Sequence, residues 1–190
     1  ASNNTAVGLN ALVTNVTGTA NTAVGKDALE ANTGDNNTAV GLDAMASNTS
    51  GTQNTGIGVG ALTANTTGNY STALGYLAGG ANTSGTEHTF VGYLAGRYTT
   101  GSGIDYNTGI GSRALYANST PNDNSAVGLN ALGLNTTGSI NSALGAHALD
   151  ANTTGHSGVA LGGYSLGANT TGNYNIAIGR DAVSVNTTGT

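Results

Sequence analysis

An all-β fold, a parallel β-solenoid (β-roll) of stacked coils, is what this sequence predicts, and three observations predict it. One unit, N-T-A-V-G-x-x-A-L-x-x-N-T-T-G-x-x, runs through the chain eleven times, starting near residues 4, 21, 37, 54, 71, 88, 107, 124, 141, 158 and 175. Glycine holds the fifth place in every copy, as at Gly8, Gly25, Gly41, Gly58 and Gly75. Valine, isoleucine or leucine always precedes it. A fixed period of this length is the mark of a repeat architecture. The repeats cover residues 1–190 as a single domain with no linker.

The first element of each unit, T-A-V-G, is short, β-branched at alternate positions and closed by glycine, which reads as a strand. The A-L pair that follows reads as a second short extended piece. N-T-T-G reads as a corner, since Asn and Thr bond to nearby backbone and Gly accepts positive φ. A helical repeat would need long runs of strong helix formers, and this unit is built of Gly, Thr and Asn. Coils of about 17 residues follow, and eleven of them at ~4.8 Å per strand stack to a rod on the order of 50 Å. The unit at residue 21 is one residue short and the unit at residue 88 two residues long, both in the polar half where a loop absorbs the change.

Stacking gives the columns a physical meaning. The corner asparagines, Asn48, Asn65, Asn82, Asn135, Asn152 and Asn169 among them, lie over one another and can hydrogen-bond along the axis. The Val/Ile/Leu column forms an apolar spine. The Thr column drifts to Val159 and Ile176, which suggests an inward or half-buried place. Three apolar side chains per coil, one of them Ala, are little burial against the cost of ordering 17 backbones. A self-associated rod is therefore expected, as a parallel homotrimer or a head-to-tail filament. Neither end carries a polar cap of the kind repeat arrays use, so a segment of a longer fibre, or ends that stack, is expected.

The unit, at residues 4–8, 175–179 and every copy between, resembles the repeats of tail-fibre-like surface proteins of phages and bacteria. It is similar, more distantly, to the head repeat of trimeric autotransporter adhesins, S-V-A-I-G-x-x-S/A. The resemblance implies a left-handed parallel β-roll that trimerises, outside the cell or on a virion. The coil here is longer than the adhesin head coil, and no stalk, membrane anchor or self-cleaving chaperone pattern is present in this stretch.

Composition excludes several functions. Four Lys+Arg stand against nine Asp+Glu, a net charge of -5, which disfavours nucleic acid as a partner. The chain has no Cys, so it has no disulfide framework and no thiolate metal site. No apolar run reaches the roughly 18 residues of a membrane span. His88, His147 and His156 share no column, and no nucleophile–base–acid arrangement recurs, so neither catalysis, a metal nor a cofactor is expected. Asp27, Asp43 and Asp181 share a column with Asn10 and Asn130; the calcium β-roll pattern is absent, and the column reads as a solvated turn. The sequons at Asn65 and Asn152 read as ladder positions.

One zone breaks several columns at once. Tyr76 and Tyr93 share a position in consecutive units, Phe90 replaces Ala, the Leu column becomes Gly79 and Gly96, and the two extra residues follow at 97–106. The functional reading is a surface contact through Tyr76, Tyr93 and Phe90 for a cell-surface glycan or receptor. The simpler reading is local repacking, with Phe90 filling space left by the glycines. Among functions, a structural extracellular fibre or adhesin shaft or head leads. An ice-binding solenoid using its Thr arrays is the alternative, weakened by Ser125, Ser142, Val159 and Ile176 in the strand Thr column.

Overall fold

The computed structural model describes residues 1–101 and 105–189. Part of the lengthened stretch 97–106, and Thr190 at the end of the repeat domain, lie outside the described residues. The fold is all-β. Each unit contributes one three-residue strand: β1 (Thr5–Val7), β2 (Thr22–Val24), β3 (Thr38–Val40), β4 (Thr55–Ile57), β5 (Thr72–Leu74), β6 (Thr89–Val91), β7 (Thr108–Ile110), β8 (Ser125–Val127), β9 (Ser142–Leu144), β10 (Val159–Leu161) and β11 (Ile176–Ile178). They form one parallel sheet in chain order, β1 through β11, the topology of a solenoid. Register is strict: Thr5 pairs with Thr22, Ala6 with Ala23 and Val7 with Val24, and the same columns align to β11. The single residue missing before β3 leaves its register with β2 unchanged, because the corner absorbs it.

The A-L pair is not a second strand. In the fourth coil it belongs to a run of linked turns, with N–H groups of Ala61, Thr63 and Asn65 donating to the carbonyls of Gly58, Gly60 and Leu62. Such turns need positive φ at their third residue. Gly60 supplies it at 64° and Leu62 at 51°. A leucine in that region costs about 1–2 kcal/mol. Complete burial of its side chain, worth roughly 1.5–3 kcal/mol, offsets the strain. Leu29, Met45, Leu62, Leu115, Leu132, Leu149 and Leu166 are all fully buried at this place. The same rule explains the Asp and Asn column: Asn10, Asp27, Asp43, Asn130 and Asp181 all have positive φ, which short polar side chains tolerate best.

The core is narrow. It holds the strand alanines, the turn alanines and the leucine column, for example Ala39, Ala44 and Met45 in the third coil. Strand side chains alternate between faces, and here the small central residue points inward. The Val/Ile/Leu column is consequently not an inner spine; it lies on the outer face, as Leu74 and Leu144, about half exposed, show. The Thr column shares that face, half-buried at Thr22, Thr38, Thr55, Thr89 and Thr108 and exposed at Val159 and Ile176. An inward Thr column is excluded by the same alternation.

The glycine after each strand is fixed by the stack itself. At Gly41, with φ at 137°, a Cβ would sit 2.6 Å from the carbonyl oxygen of Gly58 in the next coil. Gly8, Gly25, Gly58 and Gly75 meet the following coil in the same way. Adjacent coils approach backbone to backbone there, and only hydrogen fits.

Candidate functional site

Three ladders of side-chain hydrogen bonds tie the coils together. In the corner ladder, Asn48 Nδ2 donates to Asn32 Oδ1 at 2.6 Å, Asn65 to Asn48 at 2.7 Å and Asn82 to Asn65 at 3.2 Å. Asn135, Asn152 and Asn169 continue it at 2.8, 2.8 and 3.1 Å. Each also donates to the carbonyl of its own corner glycine, as Asn65 does to Gly68 at 3.1 Å. The sequon asparagines Asn65 and Asn152 are fully buried in this ladder.

A second asparagine ladder escaped the sequence reading. Asn21, Asn37, Asn54, Asn124 and Asn141, at the strand starts, use Oδ1 to accept the backbone N–H of the equivalent residue one coil on, at 2.8–3.0 Å. Their Nδ2 groups close each coil on its own corner glycine, as Asn37 does on Gly51 at 2.8 Å. The signal was present, since Asn opens eight of the eleven units. Threonine hydroxyls form the third ladder, Thr49 donating to the Thr66 carbonyl and Thr66 to that of Thr83, both at 2.9 Å.

The corner ladder has a gap. Thr99 stands where the sixth coil would carry its Asn, and Asn118 Nδ2 in the seventh coil is buried with no hydrogen-bond partner. Thr99 Oγ1 is likewise buried without one.

The irregular coils separate into surface and core. Tyr76 and Tyr93 are half exposed and stack with centroids 5.6 Å apart. Phe90 is fully buried and faces no solvent, so it cannot join them in a surface contact. It occupies the inward strand position, where Ala is usual, and fills the space above Gly79 and Gly96. His88, also buried, stacks on Phe90 at 5.0 Å and places Nε2 3.7 Å from Asp105 Oδ2. Neither His88 ring nitrogen makes a hydrogen bond, and burial pushes the imidazole down to about 4.

Other polar clusters lie on the turn side. Lys26 pairs with Asp27 at 2.6 Å, and Asn10 donates to Asp27 at 2.9 Å; these hold the carboxyl below its ordinary value. Tyr98 and Tyr116 meet edge to face at 5.0 Å with Arg97 and Arg113 over their rings. Hydrogen bonding to Tyr98 pushes the Tyr116 phenol up. His147 stacks on Tyr164 at 4.9 Å and bonds Asp150 at 2.9 Å. Among the described residues no cluster of three or more His, Cys, Asp or Glu could hold a metal ion. No helix among them is long and apolar enough to cross a membrane.

The outer sheet face runs along all eleven strands. It presents two columns of outward side chains over eleven strands, and among the described residues no strand position carries a charge. The column just past the glycine is mixed: Leu9, Leu42, Val59, Tyr76, Tyr93 and Leu129 are exposed and largely apolar, whereas Lys26 and Arg180 bring a charge to it. Over β8–β10 the face is concave, with a hollow of about 260 Å³ lined by Ser125, Val127, Leu144, Val159 and Leu161. Comparison of the chain with protein-family models, with curated proteins and with solved structures finds no match in any of the three.

Proposed function

We propose that this chain is a structural unit of an extracellular fibre or adhesin shaft, and that its outer sheet faces pack together in a parallel homotrimer. The observation that carries the reading is the charge-free apolar column from Val7 to Ile178, displayed on a face about 50 Å long. Soluble monomers seldom leave so long an apolar stripe uncovered. The narrow core, mostly alanine and one leucine per coil, adds weight, because packing faces would supply burial that each coil lacks alone. Three parallel copies bring the same columns together at every level, and the absence of charge at the strand positions avoids repulsion between copies there. The long hydrogen-bonded ladders suit a mechanical role. Location on a cell surface or virion rests on the resemblance of the repeat to fibre proteins.

Light scattering after gel filtration tests the assembly, with electron microscopy distinguishing compact trimers from filaments. A mass of three chains is expected. In Leu74→Lys combined with Leu144→Lys it should fall to one chain with the β circular-dichroism spectrum retained. A wild-type chain that stays monomeric at tens of micromolar overturns the reading.

The Thr column on the outer face favours one second reading, ice binding, because hydroxyls and methyls repeat there at ~4.8 Å from Thr5 through Thr108. Thermal hysteresis at modest concentration, lost in Thr38→Tyr combined with Thr72→Tyr, would establish it in place of the fibre.

A further inference from the structure

Away from the sheet face, coils seven to eleven carry an unusual edge. The second and fifth residues after the conserved glycine stack there as two columns: Arg113, Asn130, His147, Tyr164 and Asp181 beside Tyr116, Gly133, Asp150, Gly167 and Ser184. Gly133, against which the Asp150 carboxylate lies, and Gly167 each line one of two depressions. One, of about 240 Å³, is lined by Arg113, Tyr116, Asn130 and Asp150; the other, of about 290 Å³, by His147, Asp150, Tyr164, Asp181 and Ser184. Asp150 belongs to both and stands between them.

We infer that this edge binds a neutral polysaccharide lying along the solenoid axis, one sugar in each depression. Four features argue for that class. Sugar hydroxyls are donors and acceptors at once, and the edge offers both: guanidinium donors on Arg113, carboxylate acceptors on Asp150 and Asp181, and the mixed groups of Asn130, Ser184 and the tyrosines. Tyr116 and Tyr164 supply apolar ring surface beside those polar groups, the combination small-molecule sites use. The glycines that line the two depressions, Gly133 and Gly167, are two coils apart, about 9.6 Å at the strand spacing, close to the repeat of two sugars in an extended chain, so that one sugar bridges over Asp150 between the two that are seated. Finally, the side chains are held before any ligand arrives. His147 is fixed by its stack on Tyr164 and its bond to Asp150, and Tyr116 by Tyr98 and Arg113. Such preorganisation lowers the ordering cost of binding.

Charge selects against polyanions. The edge sets Arg113, and Arg180 paired with Asp181 at 3.3 Å, against Asp150 and Asp181, so it has no basic patch for a polyanion, on a chain of net charge -5. The site lies on a different surface from the sheet face and does not depend on the assembly reading.

Native electrophoresis through gels cast with laminarin, hydroxyethylcellulose, xylan or dextran, with dextran sulfate as the anionic arm, provides the test. Retardation by at least one neutral polymer is expected. Titration of the matching hexasaccharide should then weaken at least tenfold in Tyr116→Ala, Tyr164→Ala and Asp150→Ala, and stay unchanged in Tyr70→Ala, an exposed tyrosine that lines neither depression. Circular dichroism confirms that each variant folds, and light scattering on the same samples reads assembly separately. Retardation by no neutral polymer, retardation by dextran sulfate alone, or binding that survives loss of both tyrosines overturns the inference.

Discussion

The ring of Phe90 takes the volume that a side chain at Gly96 would need: a Cβ there would lie 2.6 Å from Phe90 Cζ. Gly79, one coil earlier, faces the other edge of the ring at 3.0 Å. One large residue therefore replaces two leucines of the core column. Phe90→Ala should cost about 3–5 kcal/mol through the cavity it leaves. Gly96→Leu alone should destabilise through overpacking and positive φ. Together the two substitutions rebuild the usual Ala and Leu, so the double variant should be more stable than either single one. Urea unfolding of the four proteins measures the coupling, and additive losses would contradict this packing.

Gly41 and Gly163 offer a contrast within one chain. Gly41 has φ at 137° and no room for a Cβ beside Gly58, whereas a Cβ at Gly163 meets nothing closer than 3.7 Å. Gly41→Ala should lose at least about 3 kcal/mol, from backbone strain and the clash between coils. Gly163→Ala should change stability by less than about 0.5 kcal/mol. Similar melting temperatures for the two variants would show that the coils do not touch at the glycine column.

Much of this fold could be read from the repeat, and the misreadings share a cause. Period, strand position and glycine column follow from spacing alone, because Gly41 and its equivalents recur at the same place in every unit. Val40 belongs to the column that reads as an apolar spine, and its neighbour Thr38 to the one that reads as inward or half-buried, yet Ala39 between them is the buried residue. Coils too narrow for a branched side chain on the strand leave that place to alanine, and hydropathy does not reveal width. The A-L pair that includes Leu62 reads as extended, but Leu62 takes positive φ, and burial in the finished core makes that conformation tolerable. Of the zone around Phe90, repacking was legible in the paired glycines. The edge from Arg113 to Asp181 was not, since its residues meet only when coils stack.

The gap at Thr99 predicts a stabilising change. Asn118 Nδ2 is buried without a partner: the preceding coil offers Thr99 in place of an Asn Oδ1, and the amide makes no bond to its own corner, where Asn107 donates to the Pro121 carbonyl. An unmade bond of this kind costs about 1–3 kcal/mol. Thr99→Asn should recover about that amount by joining the ladder on both sides of the gap. Asn65→Ala runs the other way: it removes bonds to Asn48 and Gly68 and takes from Asn82 Nδ2 one of its two acceptors, leaving only the Gly85 carbonyl, for a loss of about 2–5 kcal/mol. Chemical denaturation compares them; a Thr99→Asn variant no more stable than wild type would mean that the gap is already filled.

His88 makes stability depend on pH in a defined window. The folded chain holds its imidazole down to about 4 through burial, against 6.5 for the ordinary group. Between those values the unfolded chain binds a proton that the folded chain refuses, so stability rises with pH. The contribution is intact above 6.5, falls as the pH drops toward 4, and amounts to about 3 kcal/mol across the window. Asp105, whose Oδ2 lies 3.7 Å away, is the carboxylate facing the ring. His88→Asn puts the usual strand-start residue back and removes the titrating group, while every carboxylate stays in place. Urea unfolding at pH 7.5, 5.5 and 4.5 should show a steeper decline for wild type than for the variant. Parallel declines would mean that the buried imidazole is not the group that loses stability in acid.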